Sequence, residues 1–72
     1  MNHSMSAFEI VHGFTVWRNG EIEGRFSNAR CAAGTAMFLM EESRRAKRDD
    51  RIVLQWPDGK TVEGREISRI LR

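Results

Sequence analysis

The chain of 72 residues has one cysteine, one proline and no tyrosine. A single cysteine excludes an intrachain disulfide, which is compatible with a reducing compartment. His3, His12 and Cys31 do not have the spacing of a metal-ligand set, so we expect no bound metal and no other cofactor. Residues 1–6 lack the basic start and apolar run of a signal peptide, and no apolar run approaches the roughly 20 residues of a membrane span. We therefore expect a cytoplasmic protein without a membrane partner.

Size and charge limit the organisation further. We expect a flexible N-terminus over residues 1–6 and a single small domain over residues 7–72. In a domain of this size the core rarely supplies more than roughly 3–5 kcal/mol of stability, so oligomerisation remains open as a support. The net charge is +2, which is too small to indicate nucleic acid by itself.

The segment Ser27–Arg48 is the one stretch long enough for a substantial helix. Ser27 is the predicted N-cap, and the arginines and lysine at the end favour the negative end of the helix dipole. At 3.6 residues per turn, one stripe is dominated by alanine and should pack against a sheet. The stripe consists of Ala29, Ala32, Ala33, Ala36, Leu39, Met40 and Ser43.

A predicted β-hairpin over Phe14–Phe26 precedes this helix. Asn19-Gly20 is a strong turn signal. We expect a three-residue loop, Arg18 to Gly20, which pairs Val16 with Ile22 and keeps the apolar residues on one face. In that register, Phe14, Val16, Ile22 and Phe26 face inward, and Thr15 and Trp17 face outward. Upstream, Phe8–His12 has alternating character and is a candidate strand.

A second predicted hairpin, Arg51–Gly64, follows the helix. Trp56-Pro57-Asp58-Gly59 suits a type I turn with a bulge, and this register pairs Leu54 with Val62. It places Trp56 on the inner face and requires a positive φ at Gly59 but not at Gly64. For Arg65–Arg72 we favour a strand through about Ser68, although Ile67, Ile70 and Leu71 also have helical spacing.

Together these elements predict an α+β fold of the order β-hairpin–α–β-hairpin, with one central helix packed on one face of a small antiparallel sheet. The other face of the sheet has no second layer to cover it. It is expected to carry Trp17, Thr15, Val53, Gln55 and Thr61 among charged residues.

The sequence offers little for catalysis. Cys31 lies in the first turn of the helix, where the dipole favours a thiolate, but only His3 and His12 are available as bases. We expect Cys31 to be a half-buried filler. The glutamates of the hairpins alternate with arginines and are more typical of ion pairs than of acid–base pairs. We expect a protein that is not an enzyme.

Phe38 is the unusual residue of the helix, since it lies on the side away from the alanine stripe. Gly34 and Cys31 lie near it, and Met37 lies at the boundary. A large apolar side chain beside small residues is typical of a second packing surface. The alternatives are that another segment of the chain covers Phe38, or that it is a tolerated exposed residue.

The densest charge cluster lies at the end of the helix. It either complements the helix dipole or provides an anion surface, which makes nucleic acid the alternative partner. The residues of that alternative site are Arg44, Arg45, Lys47, Arg48 and Arg51.

The favoured function is a non-enzymatic interaction protein that binds a protein partner or associates with itself. Arginines and aromatic residues with few lysines suit a protein interface better than a nucleic-acid interface. In size and plan the chain resembles small regulatory or inhibitory proteins of phages and mobile elements, although no motif carries that likeness. The predicted partner-binding residues are Phe38, Met37, Trp17, Arg44, Arg45 and Arg48.

Overall fold

A computed structural model describes residues 13–72. The expected flexible N-terminus over residues 1–6 and the candidate strand Phe8–His12 lie outside the described residues. Within residues 13–72 the elements in chain order are β1 (Phe14–Arg18), β2 (Glu21–Phe26), α1 (Ala29–Arg45), β3 (Ile52–Gln55), β4 (Thr61–Glu63) and α2 (Arg65–Ile70).

These strands form one antiparallel sheet in the order β2-β1-β3-β4, and α1 packs across one face. The predicted α+β fold of two hairpins around a central helix is confirmed. The α2 helix contradicts the favoured strand through Ser68. Its Ile67 is fully buried in the common core, so the helical spacing of the isoleucines was the correct signal.

The alanine stripe of α1 forms the contact with the sheet, as predicted. Ala32, Ala33 and Ala36 are fully buried, and Leu39 and Ser43 are buried as well. Opposite them lie the inward side chains of the two central strands. Because alanine projects only a methyl group, the helix axis can lie close to the sheet. The sheet residues of this core are Val16, Ile52 and Leu54.

Both ends of α1 differ from the prediction. Asn28, and not Ser27, is the N-cap, and its side-chain oxygen accepts a hydrogen bond from the backbone N–H of Cys31 at 2.8 Å. Asparagine and serine cap about equally well, so their sequence preferences did not separate the two. The helix ends at Arg45, three residues before the predicted Arg48, because Lys47 takes a left-handed φ of 58°.

The predicted register of the first hairpin is wrong. Asn19 and Gly20 both have positive φ and form a two-residue turn between Arg18 and Glu21. The register then shifts between Val16 and Trp17, so that Val16 pairs with Gly24 and Trp17 pairs with Ile22.

This shift is a β-bulge, which leaves Glu23 without a partner residue in the pairing. The bulge allows the tight turn while Phe14, Val16 and Phe26 still face the core. Ile22 takes no part in that core, contrary to the prediction, and is 46% exposed beside Trp17. Glu23 is held by Arg18 at 2.8 Å.

The predicted register of the second hairpin is confirmed. Leu54 pairs with Val62, and Gly59 in the turn has a φ of 97°. Trp56 packs against the core on the inner side, where its ring meets Phe14 edge-on with centroids 5.8 Å apart.

A polar junction ties the first hairpin to the end of α1 and is centred on Asp50. One carboxylate oxygen of Asp50 accepts from the Asn19 side-chain amide at 3.0 Å, and the other accepts from Arg48 Nε at 3.0 Å. The Asp50 backbone N–H donates to the buried hydroxyl of Ser43 at 3.3 Å. Asn19 also accepts from the backbone N–H of Arg51 at 2.8 Å. Asp50 therefore joins the turn to the end of α1, and Asn19 joins the turn to the residue before β3.

Gly64 has a positive φ, contrary to the prediction. It joins β4 to α2 with a φ of 54°, so both Gly59 and Gly64 have conformations that a side chain disfavours. We predict that Gly59→Ala and Gly64→Ala each lower the free energy of unfolding by about 1–3 kcal/mol. Thermal melts would show this. Gly34→Ala is the contrasting variant and should raise the free energy of unfolding of the monomer by about 1 kcal/mol, because its backbone is helical and an added Cβ meets nothing within 4 Å. A Gly64→Ala melt identical to wild type would contradict the positive φ.

The Asp50 junction predicts an acid-sensitive fold. The hydrogen bonds from Asn19 and then from Arg48 lower the pKa of Asp50 below its ordinary value. A carboxyl whose folded pKa is lowered stabilises the fold above its unfolded pKa, and this stabilisation is lost as the pH falls through the folded pKa. We therefore expect the melting temperature to decrease when the pH is lowered below about 4.

Asp50→Asn should lower the melting temperature at neutral pH and reduce its dependence on acid. Asp49→Asn is the matched control, because it makes the same charge change at an exposed neighbour. Equal melting curves of the two variants across the pH range would show that the Asp50 junction does not stabilise the fold.

Candidate interaction surfaces

The side of α1 that points away from the sheet carries an exposed apolar surface. Phe38 is 66% exposed, and Gly34, one turn earlier, is exposed with open space where a Cβ would lie. Cys31, a further turn back, is also exposed. We call Phe38, Gly34 and Cys31 the helix patch. Since the buried stripe centres on Ala36, a rotation of about 200° over two residues places Phe38 on the opposite side of the helix.

The other predicted residues of α1 lie at the border of the helix patch. Met37 is half-buried and packs against the core, so only part of it is available. Arg44 and Arg45 are largely exposed, and both form ion pairs with Glu41. The hydrogen bond from Arg44 is the main cause of a lowered pKa at Glu41. The helix therefore presents an aromatic residue with paired charges beside it.

Trp17 lies on a different surface, on the outer face of the sheet. The pairing places Ile22, Trp17 and Val53 side by side on three adjacent strands. We call these three residues the sheet patch. The indole N–H of Trp17 donates to the Gln55 side chain at 3.0 Å, which satisfies its polar group. Trp17 and Val53 are half-buried, and Ile22 is the more exposed member.

Polar residues form the next row of this outer face. Arg25, Thr15, Gln55 and Thr61 lie side by side across the four strands of the described sheet. Thr15 is only 1% exposed, contrary to the expectation of an open position. Gln55 is half-buried, whereas Arg25 and Thr61 are exposed.

The structure thus separates residues that the sequence grouped into one site. The helix patch faces away from the sheet, and the sheet patch faces away from the helix. Phe38, Met37, Arg44 and Arg45 share α1, whereas Trp17 lies on the opposite side of the molecule, and Arg48 belongs to the Asp50 junction. Ile22 was missed as a surface residue. The two-residue Asn-Gly turn was the signal that could have revealed it, provided that a bulge was allowed.

The basic cluster is largely paired with carboxylates. Besides the Glu41 pairs, Arg48 meets Asp50 at 3.0 Å, and Arg51 meets Glu63 at 2.8 Å. The hydrogen bond from Arg51 is the main cause of a lowered pKa at Glu63. Within residues 13–72, Lys47 is the member of this cluster that forms no salt bridge. The cluster is therefore a network of exposed ion pairs rather than a uniformly positive surface.

The cysteine and the glutamates considered for catalysis are exposed. Cys31 is exposed, so the expected half-buried filler is wrong, and the candidate bases His3 and His12 lie outside the described residues. Glu23, Glu63 and Glu66 form ion pairs with Arg18, Arg51 and Arg69. No group of three or more potential ligands in residues 13–72 is arranged to hold a metal ion. Among those residues, no helix has the length and apolar character to cross a membrane.

The chain was compared with protein families, curated proteins and solved structures. No protein-family model, curated protein or solved structure matches the chain.

Proposed function

We propose that the protein is a non-enzymatic interaction module that binds a protein partner through the helix patch. The observation that carries this proposal is Phe38, a large aromatic side chain that is 66% exposed on a regular helix whose opposite face forms the core. Within residues 13–72, Phe38 belongs neither to the buried core nor to the residues packed against that core.

The energy available from Phe38 is sufficient for an anchor. Complete burial of a phenylalanine side chain stabilises by roughly 1.5–3 kcal/mol, and most of the Phe38 surface is still available to be buried. Aromatic residues and arginine are enriched at the centres of protein interfaces. Arg45 lies on the same side of α1 as Phe38, and its ion pair with Glu41 leaves it largely exposed at the rim.

The sheet patch supports the same function less strongly. Ile22 is 46% exposed, but Trp17 is half-buried and its indole N–H already has a partner. Less apolar surface therefore remains to be buried there than around Phe38.

Nucleic acid is the less well supported of the two candidate partners. A phosphate that bound Arg44, Arg48 or Arg51 would have to compete with a carboxylate that each of them already holds. Affinity for nucleic acid comes mainly from cations that neutralise phosphates, and paired arginines contribute less to it. The alternative site of Arg44, Arg45, Lys47, Arg48 and Arg51 therefore has few free charges.

A comparison of two matched variants tests the proposed surface. Phe38→Glu and Ile22→Glu each place a carboxylate at an exposed apolar position, one on the helix patch and one on the sheet patch. We expect Phe38→Glu to lose the proteins captured by the tagged wild type from its native cell, because a carboxylate cannot be buried against an apolar partner. Ile22→Glu should retain them. Circular dichroism melts would confirm that both variants fold. If only Ile22→Glu loses the captured proteins, the binding site lies on the sheet patch. If both variants retain the captured proteins, binding through either patch is contradicted.

A second measurement addresses the nucleic-acid alternative. We expect labelled double-stranded DNA and single-stranded RNA to show no anisotropy change with the wild type at low salt, where electrostatic binding is strongest. Arg44→Glu/Arg48→Glu should then be indistinguishable from wild type. A shift that salt reverses and that this double variant abolishes would overturn the protein-partner assignment.

A further inference from the structure

One row of side chains on the exposed side of α1 has a pattern that the proposed function does not require. Arg30, Gly34, Phe38 and Glu42 follow one another at intervals of four residues, and all four are exposed. Residues four apart form a continuous ridge on a helix surface. We call this row the helix ridge. It contains, in order, a cation, a notch, an aromatic knob and an anion.

The helix ridge is complementary to itself when its direction is reversed. In an antiparallel arrangement that places Phe38 of one chain over Gly34 of another, Phe38 of the second chain lies over Gly34 of the first. The same alignment brings Arg30 of each chain opposite Glu42 of the other. A two-fold symmetric interface requires this kind of self-complementary surface.

We propose that a second copy of this chain is the occupant of the helix patch, with the two helix ridges packed antiparallel about a two-fold axis at the level of Ala36. This inference rests on the proposed function, since it names the partner that Phe38 binds.

The steric fit depends on Gly34. An added Cβ at this position would meet nothing within 4 Å, so the helix surface one turn from the exposed Phe38 is open to a side chain from another molecule. When two helices cross at about −50°, their rows of residues four apart run parallel to each other, and this is the commonest packing of helices in globular proteins. Two phenylalanines would each fill the other helix's notch and bury the surface that each monomer exposes.

The charges at the two ends of the ridge are available for contacts between chains. Arg30 and Glu42 are twelve residues apart, about 18 Å along the helix, so they cannot pair within one chain. No salt bridge joins Arg30 to an acidic residue of residues 13–72, and Glu42 has only a long contact of 3.9 Å with Arg18. The two intermolecular pairs would set the direction and alignment of the helices, which is the usual contribution of charges at the rim of an interface.

Association also provides the additional support that small domains commonly need. The core contains three buried alanines from α1 and few large fully buried side chains. In a chain of this size without a disulfide, oligomerisation is a common source of stability.

The first test measures mass against concentration by light scattering or analytical ultracentrifugation. We expect the average mass of the wild type to rise with concentration from 8.3 kDa, the mass of one chain, towards twice that value. Gly34→Gln fills the notch with a good helix former, and Phe38→Glu removes the knob. Each should weaken association by about tenfold or more, as loss of a central contact does. Thermal melts at low concentration would show that both variants remain folded.

The second test exchanges the charges. Arg30→Glu gives a ridge with two anions, and Glu42→Arg gives a ridge with two cations, so each variant alone should be monomeric. Both changes place charges where the helix dipole favours them, so neither should disrupt α1. A mixture of the two variants should form a one-to-one heterodimer. In that heterodimer the carboxylates at positions 30 and 42 of the first variant face the guanidinium groups at positions 42 and 30 of the second.

The outcomes separate this inference from the proposed function. A wild type that stays monomeric at high concentration overturns the second copy as the occupant, while Phe38-dependent capture of a different protein would still support the interaction module. If Phe38→Glu dissociates the dimer but the mixture of the Arg30→Glu and Glu42→Arg variants forms no heterodimer, the antiparallel alignment is overturned. Heterodimer formation only in the mixture supports both the occupant and the alignment.

Discussion

The close contact between the alanine face of α1 and the sheet is the constraint on which the rest of the structure depends. Ala32, Ala33 and Ala36 are fully buried against the central strands. Larger side chains at these positions would push the helix away from the sheet and open cavities beside them. The aromatic volume of the core therefore lies at its edges, in Phe14, Phe26 and Trp56. Phe38, on the far side of the helix, has no place in that core.

A helix layered on one face of a sheet leaves the far side of each layer uncovered within residues 13–72. These two sides carry the two apolar patches, and their separation by the core means that a flat partner can meet only one of them. The charged residues between them are mostly satisfied locally, as the Asp50 junction and the Arg51–Glu63 pair show. Paired charges favour solubility and alignment over strong attraction for phosphates. The apolar surface of α1 is consequently the more informative feature for function.

The β-bulge in the first hairpin shows how local signals compete. The Asn-Gly turn requires a two-residue loop, whereas the alternation of apolar residues favours a longer one. The chain satisfies both by leaving Glu23 unpaired and turning Ile22 outward. Because Arg18 holds Glu23 at 2.8 Å, the irregularity also gains an ion pair. The apolar alternation alone places Ile22 in the core, whereas the two-residue turn places it opposite Trp17 on the outer face.

The sequence by itself determined the α+β plan, the alanine face of α1, the register of the second hairpin and the position of Phe38 on the opposite side of the helix. These follow from periodicity and turn chemistry, which act between residues close together in the chain. The tertiary structure decided the bulge, the choice of helix over strand for α2, the pairing of Arg51 with Glu63 and the separation of Trp17 from Phe38. Each of these depends on contacts between distant residues, such as Ile67 with the core, Asp50 with Asn19, and Arg51 with Glu63. Such contacts leave no local pattern in the sequence, because the partners meet only after the sheet and helix have packed together.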